Sequence, residues 1–170
     1  TFAIVLCLFS YFVGLSVGAT IAYFGGYVDM FGLRAVEIWQ TVPFLFTVMI
    51  LSDSLGNVLT PWPGVPNILQ PKFLMLVVVL ALFGWLSVAF YVRGAVLRER
   101  SRDYVSAAVS IGTGDFEIIF KHLLPNSLTP IVTFAPFAIV GNISSLVALD
   151  YLGFGLPAPT PSWGELMQQA

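Results

Sequence analysis

Three long stretches of this 170-residue chain contain no Asp, Glu, Lys or Arg: residues 2–24, 73–92 and 127–149. A helix needs about 20 mainly apolar residues to cross the hydrocarbon core of a bilayer, where its backbone groups must hydrogen bond within the segment. Strands of membrane barrels instead alternate apolar and polar residues over about ten positions. Because the three stretches are apolar without such alternation, the sequence predicts membrane-spanning helices.

A fourth apolar stretch, at about residues 35–51, has Glu37 and Gln40 near one end and Pro43 inside. The polar end is expected at the membrane interface or against protein. The composition agrees with a membrane protein, since 58% of the residues are hydrophobic and 9% are charged, whereas soluble domains carry about a quarter charged residues. We therefore predict an all-α, polytopic transmembrane helical bundle with four spans, forming a single domain over residues 1–170.

Basic residues predict the orientation of these spans. Five of them lie in the connection at residues 93–126 and Arg34 lies in the connection at residues 23–34, whereas residues 52–72 contain only Lys72. Connections rich in Lys and Arg stay on the cytoplasmic side. The connections at residues 23–34 and 93–126 are therefore predicted to be cytoplasmic. Residues 52–72 and 150–170 are predicted to be external. The five basic residues, which also suit contact with lipid headgroups, are Arg93, Arg98, Arg100, Arg102 and Lys121.

Several classes of function are excluded by the composition. The net charge is only -2 and the basic residues flank the spans, so the sequence does not predict a nucleic-acid partner. His122 is the sole histidine, Cys7 is the sole cysteine, and the sequence has no nucleophile motif or phosphate-binding glycine loop. We predict neither a catalytic site nor a metal or cofactor site. If ATP drives this protein, the ATPase is another chain.

Small residues on the first span favour close helix packing. Gly14 and Gly18 are four residues apart and Ser10 lies one turn earlier, so another helix could approach closely along that face. Isolated glycines without a packing role are the alternative. Glu37 and Arg34 lie three residues apart, which favours an interfacial ion pair over an intramembrane proton relay.

The span at residues 127–149 is irregular in sequence. Pro130 and Pro136 free backbone carbonyls that need other partners, and Gly141 and Asn142 follow them. A kinked helix that lines a cavity and an ordinary packed kink both fit these residues.

Charge is concentrated at residues 93–121, which hold nine of the 16 Asp, Glu, Lys and Arg side chains. Within this stretch "RDYVSAAVSI" predicts a short helix whose Ala107 and Ala108 expose a surface of small residues. Gly112 is suited to cap the C-terminus of that helix, because glycine adopts the left-handed conformation at little cost.

A second short helix is expected after the turn "GTG". Thr113 or Asp115 would cap its start, and Pro125 would end it at the membrane. Its apolar residues form one stripe, which would pack on the spans of this protein or on a partner. The stripe consists of Phe116, Ile119, Phe120 and Leu123.

The two stretches "AAVSIG" and "HLLP" resemble the cytoplasmic EAA motif of ABC importer permeases, which reads Glu-Ala-Ala, three residues, Gly, nine residues, Ile, one residue and Leu-Pro. Ser106 stands in place of the motif glutamate, so the contact of that glutamate with the ATPase is not carried over. His122 replaces the isoleucine, as is familiar in the peptide branch. The resemblance implies a role in coupling to an ATPase for the matching positions, which are Ala107, Ala108, Gly112, Leu124 and Pro125.

Three further stretches resemble dipeptide and oligopeptide permeases, in the same order and on the predicted membrane sides: "AYFGGYVDMFGLR", "GWLSVAFYVRGAVL" and "LDYLGFGLPAPTPSWGELM". The last is similar to the branch that imports oligopeptides and microcin C-like compounds. Family members have six spans, so the resemblance implies that this chain is a fragment lacking the first and last. It also implies a bacterial inner-membrane location and three kinds of partner: cytoplasmic ATP-binding subunits, a second permease subunit that forms a heterodimer with this one, and an extracytoplasmic substrate-binding protein.

The predicted function is therefore a permease subunit that forms a translocation path for peptides or peptide-like compounds and couples to ATPase subunits through residues 93–125. The alternatives are an intramembrane enzyme and a channel or scaffold without ATP coupling. An enzyme needs convergent polar side chains at membrane depth, and a passive channel needs no apolar stripe on a cytoplasmic loop. The external segment from Pro157 to Trp163 is expected to be ordered, because prolines limit chain entropy.

Overall fold

The computed structural model describes residues 2–56, 63–64, 66, 70–155 and 163–169, and every regular element within these residues is helical. This confirms the prediction of an all-α fold. In chain order the elements are α1 (Phe2–Phe24), α2 (Gly26–Gln40), α3 (Phe44–Gly56), α4 (Pro71–Arg100), α5 (Asp103–Ser110), α6 (Asp115–Glu117), a π-helical turn (Ile118–Leu123), α7 (Leu124–Tyr151) and α8 (Trp163–Gln169).

Among the residues that the structure describes, three helices are long and apolar enough to cross a membrane by themselves: α1, α4 and the part of α7 from Ile131 to Tyr151. The three uncharged stretches of the sequence, residues 2–24, 73–92 and 127–149, lie within α1, α4 and the whole of α7. At 1.5 Å per residue, the 30 residues of α4 extend about 45 Å. That length exceeds the roughly 30 Å hydrocarbon core, so the charged end of α4 continues beyond the apolar layer.

The fourth predicted span is broken. α2 and α3 meet at a 67° bend and together satisfy the length and composition of one span, which gives up to four spans in the described residues. The break contains Pro43, which has no backbone N–H to donate and cannot continue the α2 ladder. The connection predicted at residues 23–34 is helical from Gly26 onward, because α2 begins there.

Contacts with α4 show how this broken span runs. At one end, Arg93 of α4 pairs with Asp29 of α2, and farther along, the Trp39 Nε1–H donates to the Leu82 carbonyl at 2.9 Å. As the α2 residue number rises, its α4 partner number falls, so the two elements are antiparallel. This direction agrees with the alternation of spans predicted from the basic residues.

The glycines of α1 allow α4 to approach closely, as their spacing predicted. A Cβ on Gly14 would lie 2.6 Å from the Val88 Cβ, and a Cβ on Gly18 would lie 2.5 Å from the Ala89 carbonyl oxygen. Real Cβ atoms do not approach other atoms so closely, so only glycine fits at these two positions. We call this contact the α1–α4 seam.

In contrast, α7 is largely uncovered. Only 6% of its most apolar window is buried, against 44% for α1 and 50% for α4. It lines a cavity of about 220 Å³ that it shares with α1 and α4, and its Phe134 ring stacks on Tyr91 with the ring centroids 4.2 Å apart. α7 thus lines a cavity, while the kink at its prolines stays a prediction.

Beyond α7, the segment that is predicted to be external returns to the bundle as α8, which packs against α7. Gly164 of α8 lies against α7 so closely that a Cβ there would be 2.7 Å from the Val147 carbonyl oxygen. The order predicted between Pro157 and Trp163 stays a prediction, because residues 156–162 lie outside the described residues. Trp163 itself begins α8.

Candidate functional site on the cytoplasmic segment

The charged connection forms a structured segment, residues 101–123, beneath the ends of α1 and α4. Its inward apolar side chains share one core with the ends of both helices, including Ala22 of α1 and Val96 of α4. The inward set from the segment consists of Val105, Ala108, Ile118, Ile119 and Leu123. We call residues 101–123 the cytoplasmic segment; the apolar packing fixes it to the spans.

The first helix of the segment ends as the sequence predicted. After α5, Gly112 has a φ of 81°, in the left-handed region that glycine adopts most easily. The Thr113 N–H donates to the Ala108 carbonyl at 3.1 Å, and the Gly112 N–H donates to the Val109 carbonyl at 3.0 Å. This pair of hydrogen bonds is the Schellman arrangement, which satisfies carbonyls at the helix end. The predicted role of Gly112 as a cap is confirmed.

The start of the second helix differs from the prediction. The residue that precedes α6 is Gly114, and no side chain caps the helix. Asp115 is already helical, and its Oδ1 instead accepts a hydrogen bond from the Tyr23 hydroxyl at 2.7 Å. Because the Asp115 carboxylate is hydrogen bonded to Tyr23 of α1, it does not cap its own helix. The prediction of Thr113 or Asp115 as the cap is therefore wrong.

The predicted helix end at Pro125 is also wrong. The chain passes from α6 through the π-helical turn into α7 without leaving the helical conformation. The Leu124 N–H donates to the Ile119 carbonyl, which is five residues earlier and typical of a π-turn. This wider turn precedes Pro125, whose ring and missing N–H would disrupt a regular α-helical ladder at that point.

The predicted apolar stripe of the second helix divides into two sides. Ile119 and Leu123 are buried. Phe116 is 79% exposed and Phe120 is 47% exposed, and their rings stack with centroids 6.1 Å apart. The sequence could not assign these four residues to different sides, because the π-turn changes the angular spacing of side chains within the helix.

Two neighbouring alanines are likewise on different sides. Ala107 is exposed, whereas Ala108 is 7% exposed and packs in the core shared with Val105 and Ile118. The prediction that both alanines are exposed is therefore wrong for Ala108, whose small side chain is required by packing within this protein. Of the other motif positions, Leu124 is buried and Pro125 and Gly112 are exposed, so the five matching positions do not share one surface.

The outward side of the segment carries apolar residues that sequence analysis only partly identified. Ile111 is 82% exposed and Val109 is also exposed, in addition to the two phenylalanines of the second helix. The free energy falls when a partner removes large apolar side chains of this kind from water, so they favour binding. We call this the outer apolar set: Val109, Ile111, Phe116 and Phe120.

Several hydrogen bonds and ion pairs join side chains on the segment and beside it. Lys121 donates to Glu117 at 2.7 Å; that hydrogen bond lowers the pKa of Glu117 and raises the pKa of Lys121. The Tyr104 hydroxyl donates to Glu99 at 3.1 Å, and burial raises the pKa of Tyr104. The predicted pair of Arg34 with Glu37 is confirmed at 2.6 Å.

One ion pair was missed by sequence analysis. The Arg93 Nε and Nη2 atoms donate to the two oxygens of Asp29 at 2.5 and 2.6 Å. Both side chains are mostly buried, at 24% and 20% exposed. The sequence predicts only orientation and contact with lipid headgroups for Arg93, because nothing in it shows that α2 brings Asp29 alongside α4.

Sequence comparisons identify a protein family and named relatives that are similar to this chain. Residues 10–170 match the family described as "Binding-protein-dependent transport system inner membrane component". The chain is 40% identical over 168 residues to the "Inner membrane ABC transporter permease protein YejE" of Escherichia coli (strain K12), covering 99% of this chain and 45% of that protein.

More distant relatives carry peptide-transport names. The chain is 31% identical to the "Dipeptide transport system permease protein DppC" of Bacillus subtilis (strain 168), covering 96% of this chain and 47% of that protein. It is 29% identical to the "Oligopeptide transport system permease protein OppC" of Lactococcus lactis subsp. cremoris (strain SK11), covering 99% and 53%. The chain thus spans about half the length of the curated relatives it matches.

Proposed function

Because this chain belongs to the family of binding-protein-dependent transport system inner membrane components, we propose that it is the membrane core of a permease subunit in an ATP-driven importer. Peptides or peptide-like compounds are the proposed substrates, since the relatives are named for dipeptide and oligopeptide transport. In this proposal residues 1–170 form a single domain, and the longer protein adds a span on either side.

The observation that carries the proposal is the outer apolar set on the cytoplasmic segment. The inward side chains of the segment already cover the ends of α1 and α4, so Ile111 and Phe116 are not needed to shield the bundle. Exposed apolar side chains on a rigid, bundle-anchored segment are suited to dock on another protein. The proposed occupant is a cytoplasmic ATP-binding subunit, whose closure would displace the segment and, through it, the spans.

The motif positions have different roles in this proposal. Ala107 and Gly112 are exposed and would lie next to the ATP-binding subunit. Ala108 and Leu124 would act indirectly, because they fix the segment against the bundle. Pro125 would act where the segment continues into α7.

Two further partners are part of the proposal. The uncovered length of α7 suits a second permease subunit, with the translocation path between the two. The external segment that ends in α8 would face an extracytoplasmic binding protein. A channel or scaffold without ATP coupling remains the alternative, and it gives the outer apolar set no role.

The test uses the full-length protein, purified with its ATP-binding subunits, second permease subunit and binding protein in lipid nanodiscs. Phe116→Ala is compared with Tyr27→Ala. Both aromatic rings are 79% exposed and stack on a neighbouring phenylalanine, but only Phe116 lies on the segment.

We expect Phe116→Ala to weaken retention of the ATP-binding subunits by roughly tenfold or more, as for a central interface aromatic residue. Substrate-stimulated ATP hydrolysis should fall with it, while Tyr27→Ala should keep both. Equal behaviour of the two variants would contradict the docking role of the outer apolar set. A wild-type complex whose hydrolysis does not respond to binding protein and peptide would contradict the importer itself.

A further inference from the structure

The junction of α1 and α2 has an unusual backbone. Gly25 and Gly26 both have positive φ values, 64° and 53°, a conformation that costs other residues about 1 kcal/mol or more. The two glycines allow the chain to turn between α1 and α2 with Gly25 as the only residue between the helices. We call Gly25 and Gly26 the α1–α2 joint.

The end of α4 is fitted to this joint. Arg100 Nη1 donates to the Ala22 carbonyl at 3.3 Å, and it lies 2.5 Å from the position that a Cβ of Gly25 would occupy. Four residues farther along, Asp29 of α2 forms the ion pair with Arg93. Two arginines of α4 therefore contact the chain on either side of the joint.

A side-chain hydrogen bond also connects the cytoplasmic segment to the end of α1, next to the α1–α2 joint. The hydroxyl of Tyr23, two residues before the joint, donates to Asp115 at 2.7 Å across 92 positions of sequence. Both residues line an open groove of about 540 Å³ between the end of α1 and α5. Apolar contacts such as those of Ala22 with the shared core resist separation but are not directional. A hydrogen bond is directional and weakens steeply when its geometry changes.

We infer that Tyr23 is a positioning residue for coupling: its hydrogen bond to Asp115 transmits a displacement of the cytoplasmic segment to the α1–α2 joint. From the joint, the displacement reaches the bent pair of α2 and α3. The inference rests on the proposed function, because it requires an ATP-binding subunit that moves the segment.

The experiment uses the full-length complex in nanodiscs, with Tyr23→Phe, Asp115→Ala and the double variant. Tyr23→Phe removes only the hydroxyl and keeps the ring. Asp115→Asn is the conservative variant, since its amide oxygen can still accept the hydrogen bond. Tyr104→Phe is the matched control, because it also removes a hydroxyl bonded to a carboxylate, that of Glu99 five residues earlier.

We expect Tyr23→Phe to retain the ATP-binding subunits and basal hydrolysis, while stimulation by binding protein and peptide falls by roughly three- to tenfold, the range of one hydrogen bond. Asp115→Ala should match it, the double variant should be no worse than either, and Asp115→Asn should keep most of the stimulation. Tyr104→Phe should resemble the wild type. The non-additivity distinguishes one shared bond from two separate effects.

Normal stimulation in Tyr23→Phe would overturn the inference and leave the proposed function intact. Multiplicative losses in the double variant would also overturn it, as would release of the ATP-binding subunits by Tyr23→Phe, which would show an effect on docking. A wild-type complex without stimulated hydrolysis would overturn both the proposed function and this inference.

Discussion

The α1–α4 seam and the exposed face of α7 are built from similar residues but have opposite surroundings. Both are apolar helix surfaces that contain glycine. At the seam, a Cβ on Gly18 would meet the Ala89 carbonyl oxygen at 2.5 Å, whereas a Cβ on Gly141 of α7 would meet nothing within 4 Å. The same residue type therefore permits helix contact in one region and leaves an open surface in the other.

The difference suggests that the α1–α4 seam stabilises the fold and that the exposed face of α7 serves contacts outside this chain. The seam holds the bundle together through van der Waals contact, which drives helix association where the surrounding lipid is equally apolar. The open face of α7 contributes little to the fold of this chain, which leaves its residues available for the second permease subunit and the translocation path proposed above. Four predictions test this contrast and its counterpart on the cytoplasmic segment.

The largest effect is expected at the seam. Gly18→Val should destabilise the full-length protein by about 3 kcal/mol or more, because its branched side chain would force the two backbones apart. Gly141→Val should change stability by no more than about 0.5 kcal/mol. Thermal unfolding of the detergent-purified protein measures both. Similar losses in the two variants would break the distinction between seam and open face.

A smaller effect is expected from the neighbouring alanines of the cytoplasmic segment. Ala108→Val should cost about 1–3 kcal/mol through overpacking of the shared core, whereas Ala107→Val should leave the melting temperature unchanged. Ala107→Trp should instead reduce retention of the ATP-binding subunits, measured by co-purification at a normal melting temperature. Wild-type retention in Ala107→Trp would remove that position from the docking surface.

The ion pair between α2 and α4 should have a moderate effect. Asp29→Asn should destabilise the protein by about 1 kcal/mol, because Arg93 would lose its charged partner while remaining mostly buried. Arg34→Gln, at an exposed pair, is the control and should have almost no effect on the melting temperature. If both variants melt like the wild type, the Asp29–Arg93 pair does not hold α2 to α4.

The smallest effect is expected for the exposed pair of Glu117 with Lys121. Its hydrogen bond lowers the pKa of Glu117 in the folded state, so its contribution is present above the ordinary pKa of glutamate and is lost as the pH falls through the lowered value. Near neutral pH, Glu117→Gln should shift the melting temperature by no more than the error of the measurement. A clear shift there would indicate that this pair has a larger role in holding the second helix.

Much of the architecture could be predicted because it depends on local properties of the chain. Apolar length predicted α1, α4 and α7, and the spacing of Gly14 and Gly18 predicted a close helix contact. The cap at Gly112 was also predictable, since few other residues adopt its conformation. The partner helix of the two glycines was not predictable, because any apolar helix satisfies that pattern.

The candidate site was less predictable because it depends on contacts between distant parts of the chain. The roles of Ala107 and Ala108 differ only because the helix is turned with Ala108 toward the ends of α1 and α4. Phe116 and Ile119 belong to one stripe in sequence and to opposite sides in space, because a π-turn lies between α6 and α7. Asp29 was overlooked because its partner Arg93 is 64 positions away.

The sequence by itself determined that this chain forms helices long and apolar enough to cross a membrane, and it predicts their orientation and the place where the charged segment leaves the bilayer. These properties follow from the free-energy cost of placing charges and unpaired backbone groups in hydrocarbon. That cost depends on the residues of each stretch alone and not on the other stretches. Only the tertiary structure decided that Tyr23 meets Asp115 and that the outer apolar set stays exposed while its neighbours in sequence are buried. Both depend on the rotation and register of packed helices, which the close contacts of the complete bundle fix and no single stretch of sequence specifies.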